Sequence, residues 1–169
     1  MKVVLIAAAC LLMVSAFAAE SVKVTVGHVC CGGCANALVD GAKKAAWVEK
    51  VTVDGATATV TAKAGQHIEL VSLFDGMTKA GMPPKEVLIS GPVTLTIGHL
   101  CCGGCANSLK AALAGVEVPN FDKAGVKVDL ATKTATIKPV DGKSVNLVPV
   151  LTQMEKGGFS ATKIVVSGK

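Results

Sequence analysis

From Val22 to Gly27 the chain alternates apolar and polar residues, with Val22, Val24 and Val26 set against Lys23, Thr25 and Gly27. A period of two predicts a strand with one buried face. Past a Cys-Cys-Gly-Gly turn the spacing lengthens to three and four, with Ala35, Leu38, Val39, Ala42 and Ala46 forming one apolar stripe. That spacing predicts a helix. Val51-Thr52-Val53 and Ala58 to Ala62 flank the turn signal Asp54-Gly55 and predict a hairpin. Leu70, Leu73, Phe74 and Met77 return to helical spacing, Gly81 and Pro83-Pro84 end it, and Glu86 to Ile89 close the unit as a strand. The predicted order is βαββαβ.

The unit occurs twice. A shift of 71 places lays Val24 to Leu38 over Leu95 to Leu109 with eleven of fifteen residues identical. The offset then grows to 75 at Val126 to Asp129 and to 77 at Met154 and Val165 to Gly168, so the second copy carries small loop insertions. Two copies of about 70 residues, each long enough for a modest core, predict tandem domains rather than a solenoid. The expected architecture is α+β, with two ferredoxin-like domains over residues 19–90 and 91–169, each a four-stranded antiparallel sheet with two helices on one face. Only Ser90-Gly91-Pro92 separates the copies, which should hold them at limited mutual orientations.

The start of the chain is of another kind. Met1-Lys2, the apolar run Val3 to Phe17 and the small-x-small sequence Ala16-Phe17-Ala18 predict a signal peptide over residues 1–18, cut after Ala18, and export to a periplasm or to the outside. An apolar run of this length falls short of the roughly 20 residues that span a bilayer, and no second one follows, so no membrane span is expected after cleavage. Cys10 lies inside that run and reads as a filler of it.

Cleavage would leave 16 of the 17 cations, all of them Lys, against 12 acidic groups. Without Arg the bidentate fork for phosphate is missing. With no Tyr, one Trp and no basic run interleaved with aromatics, a nucleic-acid partner is not expected.

The cysteines carry the chemistry. Cys30, Cys31 and Cys34 form one cluster and Cys101, Cys102 and Cys105 another, with no cysteine between. Disulfide frameworks scatter their cysteines along the chain, whereas clusters point to a metal or redox site. Each cluster sits where a strand feeds a helix, and unpaired N–H groups and the helix dipole there favour a thiolate. Soft sulfur selects Cu(I) and Zn(II) over Mg or Ca; two or three thiolates suit Cu(I), while zinc wants a fourth ligand.

Strand Val22 to Val26, the Gly27-His28-Val29-Cys30-Cys31-Gly-Gly-Cys34 loop, the helix after it, their repeats and the Gly158-Phe159 pair resemble the heavy-metal-associated domain family, the fold of copper chaperones, of the mercury-binding periplasmic protein and of the N-terminal modules of metal-transporting ATPases. The resemblance covers about residues 22–90 and 92–168. It implies the βαββαβ fold and transfer or sequestration of Cu(I) or a similar ion, with exchange to a donor or acceptor protein. Two features depart from the family's Gly-Met-x-Cys-x-x-Cys. The added cysteine leaves open whether Cys30 or Cys31 partners Cys34, and His28 and His99 stand in place of Met. Strand parity, if the strands stay regular, points both rings inward as core histidines; the alternative is a fourth ligand completing a Cys3His set, which would favour zinc.

Beside the loops, Met82 and Phe159 occupy matching places and are expected to cap them apolarly, with a Met82 thioether ligand to copper as the alternative, and Lys85 is placed to offset thiolate charge or to be an ordinary exposed lysine. Asn36 and Asn107 follow the last loop cysteine in each copy, and His67, without a counterpart, reads as a surface residue. The chain is therefore expected to be a non-enzymatic, exported binder of a soft metal, with thiol-disulfide exchange or an interaction module with oxidised cysteines as the competing readings.

Overall fold

A computed structural model describes residues 20–167. The expected signal peptide and Cys10 lie outside the described residues. The first copy comprises β1 (Ser21–Val26), α1 (Gly32–Ala42), β2 (Val48–Asp54), β3 (Thr57–Ala62), β4 (Ile68–Glu69), α2 (Leu70–Lys79) and β5 (Pro84–Ile89). The second comprises β6 (Val93–Ile97), α3 (Gly103–Ala114), β7 (Lys127–Asp129), β8 (Thr134–Ile137), β9 (Val145–Asn146), α4 (Leu147–Lys156) and β10 (Ala161–Val166). Among the described residues no helix is long and apolar enough to cross a membrane.

The pleat alternation of β1 does what the sequence pattern requires. Val22, Val24 and Val26 are buried, and so are Ala58 and Val60 on β3 and Val87 and Ile89 on β5. Leu38 and Ala42 of α1 and Leu70, Leu73 and Met77 of α2 cover this face. All pairings are antiparallel, in the order β2-β3-β1-β5, and the second copy repeats it as β10-β6-β8-β7. That is the ferredoxin-like order in both copies. The hairpin turns at Gly55, whose φ of 57° suits a residue without Cβ, with Asp54 paired to Thr57.

The predicted apolar stripe of the first helix runs one turn too far. α1 stops at Ala42 and Ala46 is exposed; the chain turns there, and Ala45 and Trp47 enter the core instead. In the second copy the inserted residues settle beside β8: Phe121 is buried and bridges to Pro139, and Asp122 pairs with Lys138 at 3.4 Å.

The two copies are joined by more than the linker. Each sheet gains a fifth, two-residue strand from the other copy: β4 pairs with β10 (Glu69 opposite Val165) and β9 with β5 (Asn146 opposite Leu88). The same two residues cap the helices that follow. The Glu69 carboxylate accepts the N–H groups of Val71 and Ser72 at 2.9 Å and that of Ile164, in the other copy, at 3.4 Å. Asn146 Oδ1 accepts Val148 N–H at 3.2 Å and Val87 N–H, again across the copies, at 3.1 Å. Partial burial pushes the Glu69 carboxyl up, but hydrogen bonds from Ser72, Val71 and Ile164 outweigh it and hold the group below its ordinary value. Trp47 ties the first core to this junction by donating its indole N–H to Glu69 O at 2.8 Å.

Candidate metal centre

β1 ends at Val26, after a register shift against β5 between Thr25 and Val26, and α1 begins at Gly32. The five residues between them form the loop. Val29 packs on the core and its counterpart Leu100 is fully buried, so an aliphatic side chain anchors each loop from below. Cys31 is the N-cap of α1 in extended conformation (φ −156°, ψ 170°), and Cys102 takes the same place on α3 (φ −155°, ψ 170°).

Three sulfurs converge in each loop. Cys34 Sγ lies 3.6 Å from Cys30 Sγ and 3.5 Å from Cys31 Sγ; Cys105 Sγ lies 3.6 Å from Cys101 Sγ and 3.5 Å from Cys102 Sγ. Cys34 and Cys105 are half-buried against the core, and the other four are exposed. All six carry free thiols. In the first loop the three sulfurs lie within 4.8 Å of one another.

The thiols of a loop differ in acidity. Main-chain N–H groups of Cys34 and, more weakly, Gly33, together with the neighbouring thiols, lower the Cys31 thiol below its ordinary value, even though no regular side-chain cap bond forms. Cys30 is pushed up, first by its hydrogen bond to Cys34, then by that to Cys31 and by the charge of both. Cys102 and Cys101 repeat the pattern. The helix start therefore selects one cysteine of the adjacent pair as the readier thiolate. The sulfur of Cys31 folds over the first helical turn, 3.7 Å from where a Cβ on Gly33 would lie, and that of Cys102 lies 3.6 Å from the same point on Gly104.

The inward histidines expected from strand parity are not found. His28 and His99 are exposed, because the strands end at Val26 and Ile97 and the chain leaves the pleat before reaching them. His99 instead comes within 4.8 Å of Cys101 and Cys105, as a ring nitrogen among their sulfurs. Met82 and Phe159 are buried, each following a glycine in left-handed conformation (Gly81 φ 78°, Gly158 φ 83°) that reverses the chain after the second helix. Asn36, Asn107 and His67 are exposed. Lys85 lies over the loop: its Cε is 3.0 Å and its Nζ 3.4 Å from the Cβ position of Gly27. Its counterpart at the second loop, Thr162, is a contact the sequence comparison did not single out; its Cγ2 is 3.3 Å from the Cβ position of Gly98.

No protein-family model and no curated protein matches the chain. Among solved structures it is similar to the N-terminal soluble domains of Bacillus subtilis CopA, at 19% identity over 85% of this chain and 92% of that one, with a TM-score of 0.36. It is also similar to the water-soluble region of the P-type ATPase CopA from Bacillus subtilis, at 18% identity over 88% and 91%, with a TM-score of 0.37.

Proposed function

We propose that the chain is a non-enzymatic carrier or store of a soft metal ion, Cu(I) ahead of Zn(II), working outside the cytoplasm and exchanging its ion with a donor or acceptor protein. The observation that carries this reading is the gathering of two sulfurs within 3.6 Å of a third at a helix start, repeated in both copies with the same separations. Thiolates without carboxylates make a soft donor set. The exposure of Cys30, Cys31, Cys101 and Cys102 supports exchange, since an incoming thiolate from a partner could reach the ion before the last sulfur lets go. Export rests on the leader-like sequence at the start of the chain.

The reduced chain lacking residues 1–18, titrated anaerobically with Cu(I) or Zn(II) against a competing chelator of moderate affinity, should take up metal with sulfur-to-metal charge-transfer absorption. Failure to take up either ion removes the proposal. The lowered thiol of Cys31 favours a second reading, thiol-disulfide exchange through Cys31 and Cys34. That reading requires a dithiol potential near cellular couples and measurable exchange with a model disulfide; a strongly reducing potential without exchange excludes it.

A further inference from the structure

The two loops share a sequence motif but not their surroundings. At the second loop, His99 stands with Cys101 and Cys105 inside a 4.8 Å cluster, and Cys102 Sγ is 3.5 Å from Cys105 Sγ. His99, Cys101 and Cys105 already stand together, and Cys102, at the edge of the cluster beside Cys105, would complete the Cys3His donor set of a tetrahedral zinc site. Metal–sulfur and metal–nitrogen bonds of about 2.3 and 2.0 Å imply donor separations of roughly 3.5–3.8 Å. The sulfur pairs at 3.5 and 3.6 Å already meet this. His99 is exposed, so its ring is free to rotate by the remaining distance.

At the first loop the cluster is sulfur alone, Cys30, Cys31 and Cys34. Lys85 covers the adjoining Gly27, with its Nζ 3.4 Å from the Cβ position. Its exposed ammonium beside the loop weighs modestly against a divalent ion and toward a complex that keeps excess negative charge. Three thiolates on Cu(I) leave two negative charges, whereas three thiolates and a neutral imidazole on Zn(II) leave one. The matching place beside the second loop holds Thr162, which carries no charge.

We propose that the two loops take different ions: the first a monovalent soft ion on Cys30, Cys31 and Cys34, the second a divalent ion of the zinc class on Cys101, Cys102, Cys105 and His99. This rests on the metal-binding reading above and divides it between the copies. The first copy is then the low-coordinate, faster-exchanging site, and the second a four-ligand site that gives up its ion more slowly.

The test uses the reduced chain lacking residues 1–18, loaded with one equivalent of Zn(II), one of Cu(I), or both, followed by alkylation and peptide mapping of protected cysteines. Zinc should protect Cys101, Cys102 and Cys105, and copper Cys30, Cys31 and Cys34, with both ions held together when both are added. His99→Gln should weaken zinc binding at least tenfold and His28→Gln less than twofold, while Lys85→Thr should strengthen zinc at the first loop. Equal zinc protection of both loops, or equal loss in the two histidine variants, overturns the division while leaving metal binding intact. Absence of protection by either ion overturns the metal-binding reading as well.

Discussion

At the scale of single residues, the adjacent cysteines are the informative pair. Counting along the sequence cannot tell Cys30 from Cys31, because counting from Gly27 selects Cys30 and counting back from Cys34 selects Cys31. The structure separates them by their relation to the helix: Cys31 is the N-cap and its thiol is lowered by nearby N–H groups, whereas Cys30 lies outside the helix start and its thiol is raised. Alkylation of the metal-free reduced protein between pH 7 and 8, followed by mass spectrometry, should therefore label Cys31 before Cys30 and Cys102 before Cys101. A lower thiol pKa means more thiolate in that range. Equal or reversed rates would contradict the assignment. The histidines show the opposite limit of residue-level reading. Parity along β1 was a sound guide as far as Val26, but the strand ended there, and a rule for pleated backbone says nothing about the next two residues.

At the scale of elements, the long periodic segments were legible and the short ones were not. β1, β3, α2 and β5 follow from alternation, helical spacing, Asp54-Gly55 and Gly81. β4 and β9 have two residues each, too few for any period, and their partners lie in the other copy. Glu69 as a helix cap was also hidden, since Ser, Thr, Asp and Asn are the residues that usually announce one.

Its role can be read from pH. The folded carboxyl sits below its unfolded value, so Glu69 adds stability above the ordinary carboxyl pKa and loses it as pH falls through the folded value. Urea midpoints measured from pH 7 down to pH 3 should fall less steeply for Glu69→Gln, which keeps an acceptor oxygen but not the titration. An identical acid slope in both proteins would remove Glu69 from the account. The crossing of α1 and α2 gives a second prediction. A Cβ on Gly76 would overlap the carbonyl of Gly41, and one on Gly41 would come within 2.8 Å of Ala80 Cβ. Gly76→Ala should cost about 1–3 kcal/mol by overpacking, despite the better helix propensity of Ala, as read from denaturant unfolding. A neutral or stabilising effect would mean that the helices can move apart freely.

At the scale of the whole molecule, the exchanged strands turn a tandem repeat into one body. Glu69 and Asn146 occupy equivalent places in the two copies and accept N–H groups from equivalent residues, Ile164 and Val87, across the junction. The linker is held as well: Ser167 N–H donates to Pro92 O at 2.9 Å, and a Cβ on Gly91 would meet Ser167 O at 2.5 Å. Two copies joined this way should unfold together. Trp47, the one tryptophan, reports on the first copy and its junction, so its fluorescence midpoint in urea should coincide with the far-ultraviolet circular dichroism midpoint of the whole chain. Separate midpoints would show that the copies unfold independently.

The two cysteine loops thus belong to copies joined by strand pairs and hydrogen bonds as well as by the linker. If each loop gathers its three sulfurs on one soft ion, reactive thiols counted in the reduced protein lacking residues 1–18, before and after anaerobic saturation with Cu(I) and Zn(II), should fall from six to none as two ions bind per chain. Six thiols that remain fully reactive at saturating metal would contradict it.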